Sequence, residues 1–174
     1  ILINKIDSAS KESIQIVENN IKKYNPKAIV IKARSEIIAD NPKLISGKRV
    51  LLIEDGPSIT HGGMKFGAAT VAAKKYGAKE IINAKKYAVG SIRETYAKYI
   101  HLEKELPAMG YNEKQIKDLQ KTINRADCDI VLDGSPANLK KILKVNKPII
   151  NISYELDKNS VKELEKSLKR KRFI

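Results

Sequence analysis

The residues best suited to chemistry are concentrated in one segment, 54–63, which follows an apolar run. Its two adjacent carboxylates, Glu54 and Asp55, are the ligand type that Mg²⁺ accepts from proteins. His61 can transfer a proton near neutral pH. Other members supply hydroxyls or allow close backbone approach to a phosphate, namely Ser58, Thr60, Gly62 and Gly63. We predict a phosphate or substrate site here, with His61 and Asp55 as catalytic residues. The alternative is an ordinary turn in which His61 faces solvent.

A second candidate site lies near the start of the chain, where Asn4, Lys5 and Asp7 directly follow an apolar run. A carboxylate at the end of a strand can accept both Watson–Crick-edge donors of guanine. A lysine stem can lie along the base, and an asparagine can tie neighbouring loops together. This spacing is the N-K-x-D element of P-loop GTPases, and it predicts a nucleotide base site. The alternative is a strand-turn-helix in which Asp7 and Ser8 cap the next helix.

A third loop, 85–91, ends in Gly90 and Ser91 and runs into a helix that carries Arg93. Glycine, hydroxyl, helix start and guanidinium together suit a second phosphate or substrate contact, because arginine binds anions in a bidentate manner. A serine-capped helix with surface lysines explains the same residues equally well. For the loop 133–136, a capped helix start is the favoured interpretation.

These loops need elements that position them, and the apolar pattern supplies such elements. Short, often β-branched runs predict strands buried on both faces, at 1–3, 28–31, 50–53, 80–82, 129–132 and 148–152. Amphipathic segments between them predict helices at 10–24, 63–76, 91–99, 112–126, 137–144 and 160–171. This alternation predicts an α/β fold with a doubly wound parallel sheet. Ligands bind such sheets outside the carboxyl ends of the strands.

Composition limits the partners of the 174-residue chain. A formal charge of +14 attracts anions, but the lysines are spread over all predicted helices and tryptophan is absent, which disfavours nucleic acid. The Lys- and Ile-rich composition is also typical of heat-adapted proteins.

No apolar run reaches the ~20 residues of a membrane span, and we expect a cytoplasmic protein without membrane partners. The single cysteine, Cys128, is interpreted as a core residue.

Four stretches together resemble one known family, the predicted GTPases related to archaeal cyclic 2,3-diphosphoglycerate synthetase. They are Asn4–Asp7, Glu54–Met64, Tyr87–Ile92 and Leu106–Tyr111. The resemblance covers nearly the whole chain and implies that 1–46 is the C-terminal remnant of a P-loop GTPase-like domain, with a Rossmann-like domain at 47–174. It also implies an enzyme that uses Mg²⁺ with ATP or GTP to activate a small phosphorylated acid.

The family resemblance is incomplete in one respect, because the phosphate-binding motif G-x-x-x-x-G-K-[ST] does not occur in these residues. We therefore expect the chain to be the C-terminal portion of a longer enzyme and to bind nucleotide weakly alone. An anionic small molecule and a nucleotide are the expected partners. A regulatory GTPase-type protein and, less favoured, a basic nucleic-acid-binding domain remain alternatives. The choice between ATP and GTP and the existence of a homo-oligomer are left open.

Overall fold

The computed structural model describes residues 1–110 and 112–170, and these residues form two compact units. Unit 1 comprises residues 1–36 together with the chain from Tyr154 onward, and unit 2 comprises Ile37–Ser153. The predicted division at 46/47 falls inside unit 2. The assignment of 1–46 to a P-loop domain therefore stays a prediction, and the C-terminal helix belongs with the N-terminal residues.

Unit 1 is small and has a parallel pair of strands. Strand β1 (Leu2–Ile3) pairs with β2 (Ile31–Lys32), and the helices are α1 (Lys11–Tyr24) and α7 (Lys158–Arg170). Ser10, not Asp7, caps α1, since its side chain accepts a hydrogen bond from the Ser13 N–H at 3.1 Å. Asp7 therefore does not cap α1, which was the alternative interpretation of this residue.

Unit 2 is built on a six-stranded sheet whose path is β3-β8-β7-β4-β5, with β6 paired to β4. The strands are β3 (Ser35–Ala39), β4 (Arg49–Glu54), β5 (Glu80–Ile81), β6 (Leu106–Pro107), β7 (Ile130–Gly134) and β8 (Ile149–Leu156). All pairings of β4 are parallel. Strand β7 pairs with it from Val50 to Glu54, while β5 pairs with its beginning and β6 with its end. The predicted parallel sheet is thus confirmed, with β3 and β6 added to the predicted strands.

Helices cover both faces of this sheet, as the doubly wound prediction requires. They are α2 (Gly56–Thr60), α3 (Ala68–Lys75), α4 (Gly90–Lys98), α5 (Glu113–Arg125) and α6 (Leu139–Ile142). Along β4 the buried side chains alternate between two cores. Leu51 and Ile53 pack in the core that contains Ile92 of α4, and Val50 and Leu52 pack in the core that contains Ala69 of α3. Burial on both faces explains why β4 is a continuous apolar run.

The predicted start of one helix, 63–76, is wrong. Residues 56–60 form the short helix α2, and α3 begins only at Ala68. None of the helices in 1–110 and 112–170 combines the length and the apolar character of a membrane span.

Candidate functional site

Glu54, at the carboxyl end of β4, is fully buried and binds the start of α3. One carboxylate oxygen, Oε2, accepts from the Ala69 N–H at 3.1 Å, and the other, Oε1, accepts from Gly67 N–H and from both the N–H and hydroxyl of Thr70. Burial raises the pKa of this carboxyl, while the four donors act in the opposite direction. A Cβ atom on Gly67 would collide with the carboxylate, so glycine is required for this close approach.

This arrangement changes the interpretation of the segment 54–63. The N–H groups at the start of α3, which were expected to hold a phosphate, hold the protein's own Glu54 carboxylate. Thr60, His61, Gly62 and Gly63 do not lie at the start of that helix, because α3 begins at Ala68. The geometry also gives no support to Glu54 as a magnesium ligand, since its oxygens face N–H and O–H donors.

Asp55 and Ser58 shape the short helix α2. The Asp55 carboxylate accepts from the Ser58 N–H at 3.3 Å and from the Ser58 hydroxyl, so Asp55 caps α2. This contact gives Asp55 a structural role as the cap of α2, and its predicted catalytic role stays a prediction. Gly62 packs against α2 as well, because a Cβ atom there would lie 2.5 Å from the carbonyl oxygen of Ser58. Gly63 follows in an exposed turn with φ of 61°.

His61 is held by hydrogen bonds at both ring nitrogens. Its Nδ1 lies 3.0 Å from the Thr60 hydroxyl, and its Nε2 lies 2.8 Å from the hydroxyl of Tyr99. The Thr60 hydroxyl donates its only proton to the Gly56 carbonyl at 2.7 Å, so it must accept from Nδ1–H. In neutral His61, Nε2 then accepts from the Tyr99 hydroxyl. The structure thereby fixes one tautomer and leaves Nε2 as the basic nitrogen.

His61 and Tyr99 line a cavity of about 360 Å³ between α2, α4 and α5. This volume lies at the lower end of the ~300–1,000 Å³ of small-molecule sites. The other lining residues are Gly56, Pro57, Thr60, Ser91, Glu94, Thr95, Lys98, Met109 and Gln115. The cavity therefore brings residues of the predicted segment 54–63 together with the start of α4, which the sequence treated as a separate loop.

At the start of α4, as at α3, a carboxylate of the protein occupies the position where a bound phosphate was predicted. Asp118 of α5 accepts from both the N–H and the hydroxyl of Ser91, each at 2.9 Å. Gly90 precedes it with φ of 48°, and a Cβ atom there would collide with the Asp118 carboxylate. Arg93 is exposed, and its Nε donates to the Ala88 carbonyl at 3.3 Å. Gly90 and Ser91 therefore join α4 to α5, and Ser91 also lines the cavity.

The Asp118 contact predicts a pH dependence of stability. Hydrogen bonds from the Ser91 backbone hold the pKa of this carboxyl below its ordinary value of 3.8. The contact therefore stabilises the fold above about pH 4 and is lost as pH falls through the lowered pKa. In Asp118→Asn, we expect the free energy of unfolding in urea to fall less between about pH 5 and pH 2.5 than in the parent. Parallel curves for the two proteins would contradict the assignment.

In unit 1, two residues of the predicted base site, Asn4 and Asp7, are both bonded to Ser35. Asn4 Oδ1 accepts from the Ser35 hydroxyl at 2.8 Å, and Asp7 Oδ1 accepts from the Ser35 N–H at 3.1 Å. Lys5 has a left-handed backbone with φ of 59°, which is uncommon outside glycine. Its Nζ lies 4.0 Å from the centroid of the Tyr154 ring. Among the described residues, no bond is formed to Asp7 Oδ2, which leaves an acceptor available to a ligand.

Sequence reasoning missed four residues of these sites. Glu94 and Lys98 lie one turn apart on α4, and Tyr99 follows the last residue of that helix. Only the i, i+4 spacing of Glu94 and Lys98 gave a signal. Asp118 lies on α5, far along the chain from the serine it binds.

No group of three or more His, Cys, Asp or Glu in 1–110 and 112–170 is placed to hold a metal ion. Cys128 is half buried, and burial raises the pKa of its thiol to about 11, in agreement with a core role.

The fold and the site define a Rossmann-like α/β protein, and the family described as the YmtS Rossmann-like domain matches residues 91–172. The protein described as arginine synthetase ArcE, from Thermococcus kodakarensis, is 56% identical over 168 residues. The match covers 97% of this chain but 38% of that protein. The chain is therefore similar to an archaeal synthetase, while the predicted relation to the GTPase family of cyclic 2,3-diphosphoglycerate synthetase stays a prediction. Neither match bears on cyclic 2,3-diphosphoglycerate.

Proposed function

We propose that this chain is the C-terminal portion of a nucleotide-dependent ligase of the arginine synthetase kind. The observation that carries the proposal is the 56% identity to arginine synthetase across 97% of the chain. Because the chain spans 38% of that relative, the activity is proposed for the complete protein. The cavity beside His61 and Tyr99 is the proposed substrate site, since it combines an oriented basic nitrogen with a volume suited to a small molecule.

The hydrogen bonds of His61 support a role in proton transfer. A ligase that forms a carbon–nitrogen bond must remove a proton from the attacking nitrogen. In the proposed path this proton passes to the Tyr99 oxygen as the Tyr99 hydroxyl proton passes to His61 Nε2. The resulting imidazolium keeps its Nδ1–H bond to Thr60. Asp55 acts indirectly in this scheme, because it caps the helix that carries Thr60.

The nucleotide of the proposed ligase is ATP or GTP with Mg²⁺. Mg²⁺ in such enzymes takes one or two carboxylates and completes its octahedral shell with phosphate oxygens and waters. Asn4, Lys5 and Asp7 support the base contact, since Asn4 and Asp7 are both bonded to Ser35 and Asp7 Oδ2 has no bond among the described residues. If these residues read guanine, GTP is the preferred nucleotide.

A hybrid enzyme tests the proposed activity. In it, this chain replaces the matching 168 residues of the T. kodakarensis protein. We expect the hybrid to form arginine with consumption of nucleotide, because 56% identity preserves the fold and the contacts to the rest of that enzyme. The unaltered relative is the positive control. A folded hybrid that consumes no nucleotide and forms no arginine would refute the proposal.

Replacement of Asp7 tests the base site in the same hybrid. In Asp7→Asn an NH₂ group faces the donors of guanine, while xanthine offers an acceptor at that position. We expect the ratio of GTP to XTP use to fall by about 10- to 100-fold, because one bidentate base contact contributes ~1–3 kcal/mol. Initial rates with the two nucleotides measure this ratio. An unchanged ratio would leave Asp7 with the single role of binding the Ser35 N–H.

A further inference from the structure

Two opposite charges line the cavity from one helix. Glu94 and Lys98 of α4 are both lining residues, and they are spaced i, i+4, so their side chains emerge about one turn apart. Neither takes part in an ion pair within the described ranges 1–110 and 112–170. A Glu and Lys at this spacing usually lie on a solvated face and pair with each other. Here both line the same cavity.

The Lys98 ammonium lies near an aromatic ring. Its Nζ lies 5.2 Å from the centroid of the Tyr99 ring, within the range of a cation–π interaction. The hydroxyl of the same ring is bonded to His61. The cationic end of the cavity is therefore next to the proposed proton-transfer pair, and the anionic end lies one helical turn back along α4 at Glu94.

Two apolar side chains, Met109 and Pro57, line the cavity beside polar residues such as Ser91 and Thr95. Met109 packs at the edge of the main core of unit 2, and Pro57 belongs to α2. An apolar wall with few polar groups at one side is typical of small-molecule sites. A cation, an anion and an apolar wall in about 360 Å³ match a ligand that itself carries both charges near a hydrocarbon chain.

We propose that this cavity binds a free α-amino acid, with Glu94 recognising the α-ammonium group and Lys98 the α-carboxylate. The inference rests on the proposed function for the identity of the ligand's side chain, because that function makes L-arginine the natural probe. It goes beyond that function in assigning roles to Glu94 and Lys98, which the sequence analysis did not single out. A phosphate would engage Lys98 alone, and a polyamine would engage Glu94 alone.

Matched ligands test each contact on the 174-residue chain by calorimetric or NMR titration into the millimolar range. Agmatine lacks the α-carboxylate of L-arginine, and Nα-acetyl-L-arginine lacks the α-ammonium charge. We expect L-arginine to bind about 5- to 10-fold more tightly than either analogue, a modest factor because Glu94 and Lys98 are exposed. Glu94→Gln should abolish the preference over the acetylated analogue, and Lys98→Gln should abolish the preference over agmatine.

The exposed pair Glu113 and Lys117 provides a control with the same residue types and the same spacing on α5. Glu113→Gln and Lys117→Gln should leave all three affinities unchanged. Absence of L-arginine binding, equal affinity for the three ligands, or equal effects in the control variants would overturn the inference. The hybrid enzyme separates the two proposals. An active hybrid with no selective amino-acid binding refutes the amino-acid site alone, and selective binding with an inactive hybrid refutes the proposed function alone.

Discussion

Replacement of His61 by alanine in the hybrid synthetase is expected to lower the rate of arginine formation by about 10²- to 10⁴-fold, the usual contribution of a general acid–base residue. The physical reason is the loss of Nε2, which accepts from the Tyr99 hydroxyl at 2.8 Å and receives its proton in the proposed path. Steady-state kcat and kcat/KM with saturating nucleotide measure the effect. Tyr99→Phe should reduce kcat in the same direction, because it removes the hydroxyl and keeps the ring.

Chemical rescue distinguishes this role from a structural one. Added imidazole should restore part of the activity of His61→Ala and none of the activity of Tyr99→Phe. His61 is exposed and packs little, so its removal should alter the free energy of unfolding by less than about 0.5 kcal/mol. A folded variant that keeps full activity would contradict the proton-transfer role. A loss of activity that parallels unfolding would do so as well.

Replacement of Glu54 by glutamine is expected to destabilise the protein by about 2–4 kcal/mol. The carboxylate accepts from four donors, three of them backbone N–H groups at the start of α3. In the favoured orientation the new NH₂ group faces the Ala69 N–H, so a buried donor loses its acceptor. The charge that stabilised the helix terminus is lost too. Urea-induced unfolding at neutral pH measures the difference.

The matched control is Glu80→Gln. Glu80 is exposed, and its carboxylate lies 3.6 Å from Arg49 in a surface ion pair. Such pairs contribute little, so the control should change stability by no more than about 1 kcal/mol. If Glu54→Gln were as mild as Glu80→Gln, Glu54 would not be the acceptor that organises α3. A bound phosphate would then again be the candidate partner of the N–H groups at the start of α3.

The sequence predicted the parallel sheet because strands buried on both faces are short apolar runs, as at β4. Strand β3 was missed because it begins with Ser35 and Glu36 and so has only three apolar residues, and because only alternate positions are buried. Strand β6 was missed because two residues, Leu106 and Pro107, give no periodic signal. The division into units depends on tertiary pairing between distant segments, which no local pattern encodes.

For the candidate site, the sequence identified the segment around His61 but not its chemistry. Glycines and hydroxyls next to a helix start indicate that an anion binds there, and they do not reveal whether that anion is a ligand or a side chain. At α3 the anion is Glu54, and at α4 it is Asp118. Tyr99 could not be predicted as the partner of His61, because the two residues are 38 positions apart.

The discontinuity of unit 1 has a consequence for biosynthesis. The Arg34 N–H binds the Asp157 carboxylate at 3.3 Å across a separation of 123 residues, whereas unit 2 is one uninterrupted stretch. Translation at about 5–20 residues per second separates the emergence of these two partners by roughly 6–25 s. During that interval β2 lacks its contact with α7, while unit 2 emerges whole and can fold. Within this stretch of chain, the earlier-translated part of unit 1 is thus among the last segments to reach its final partners.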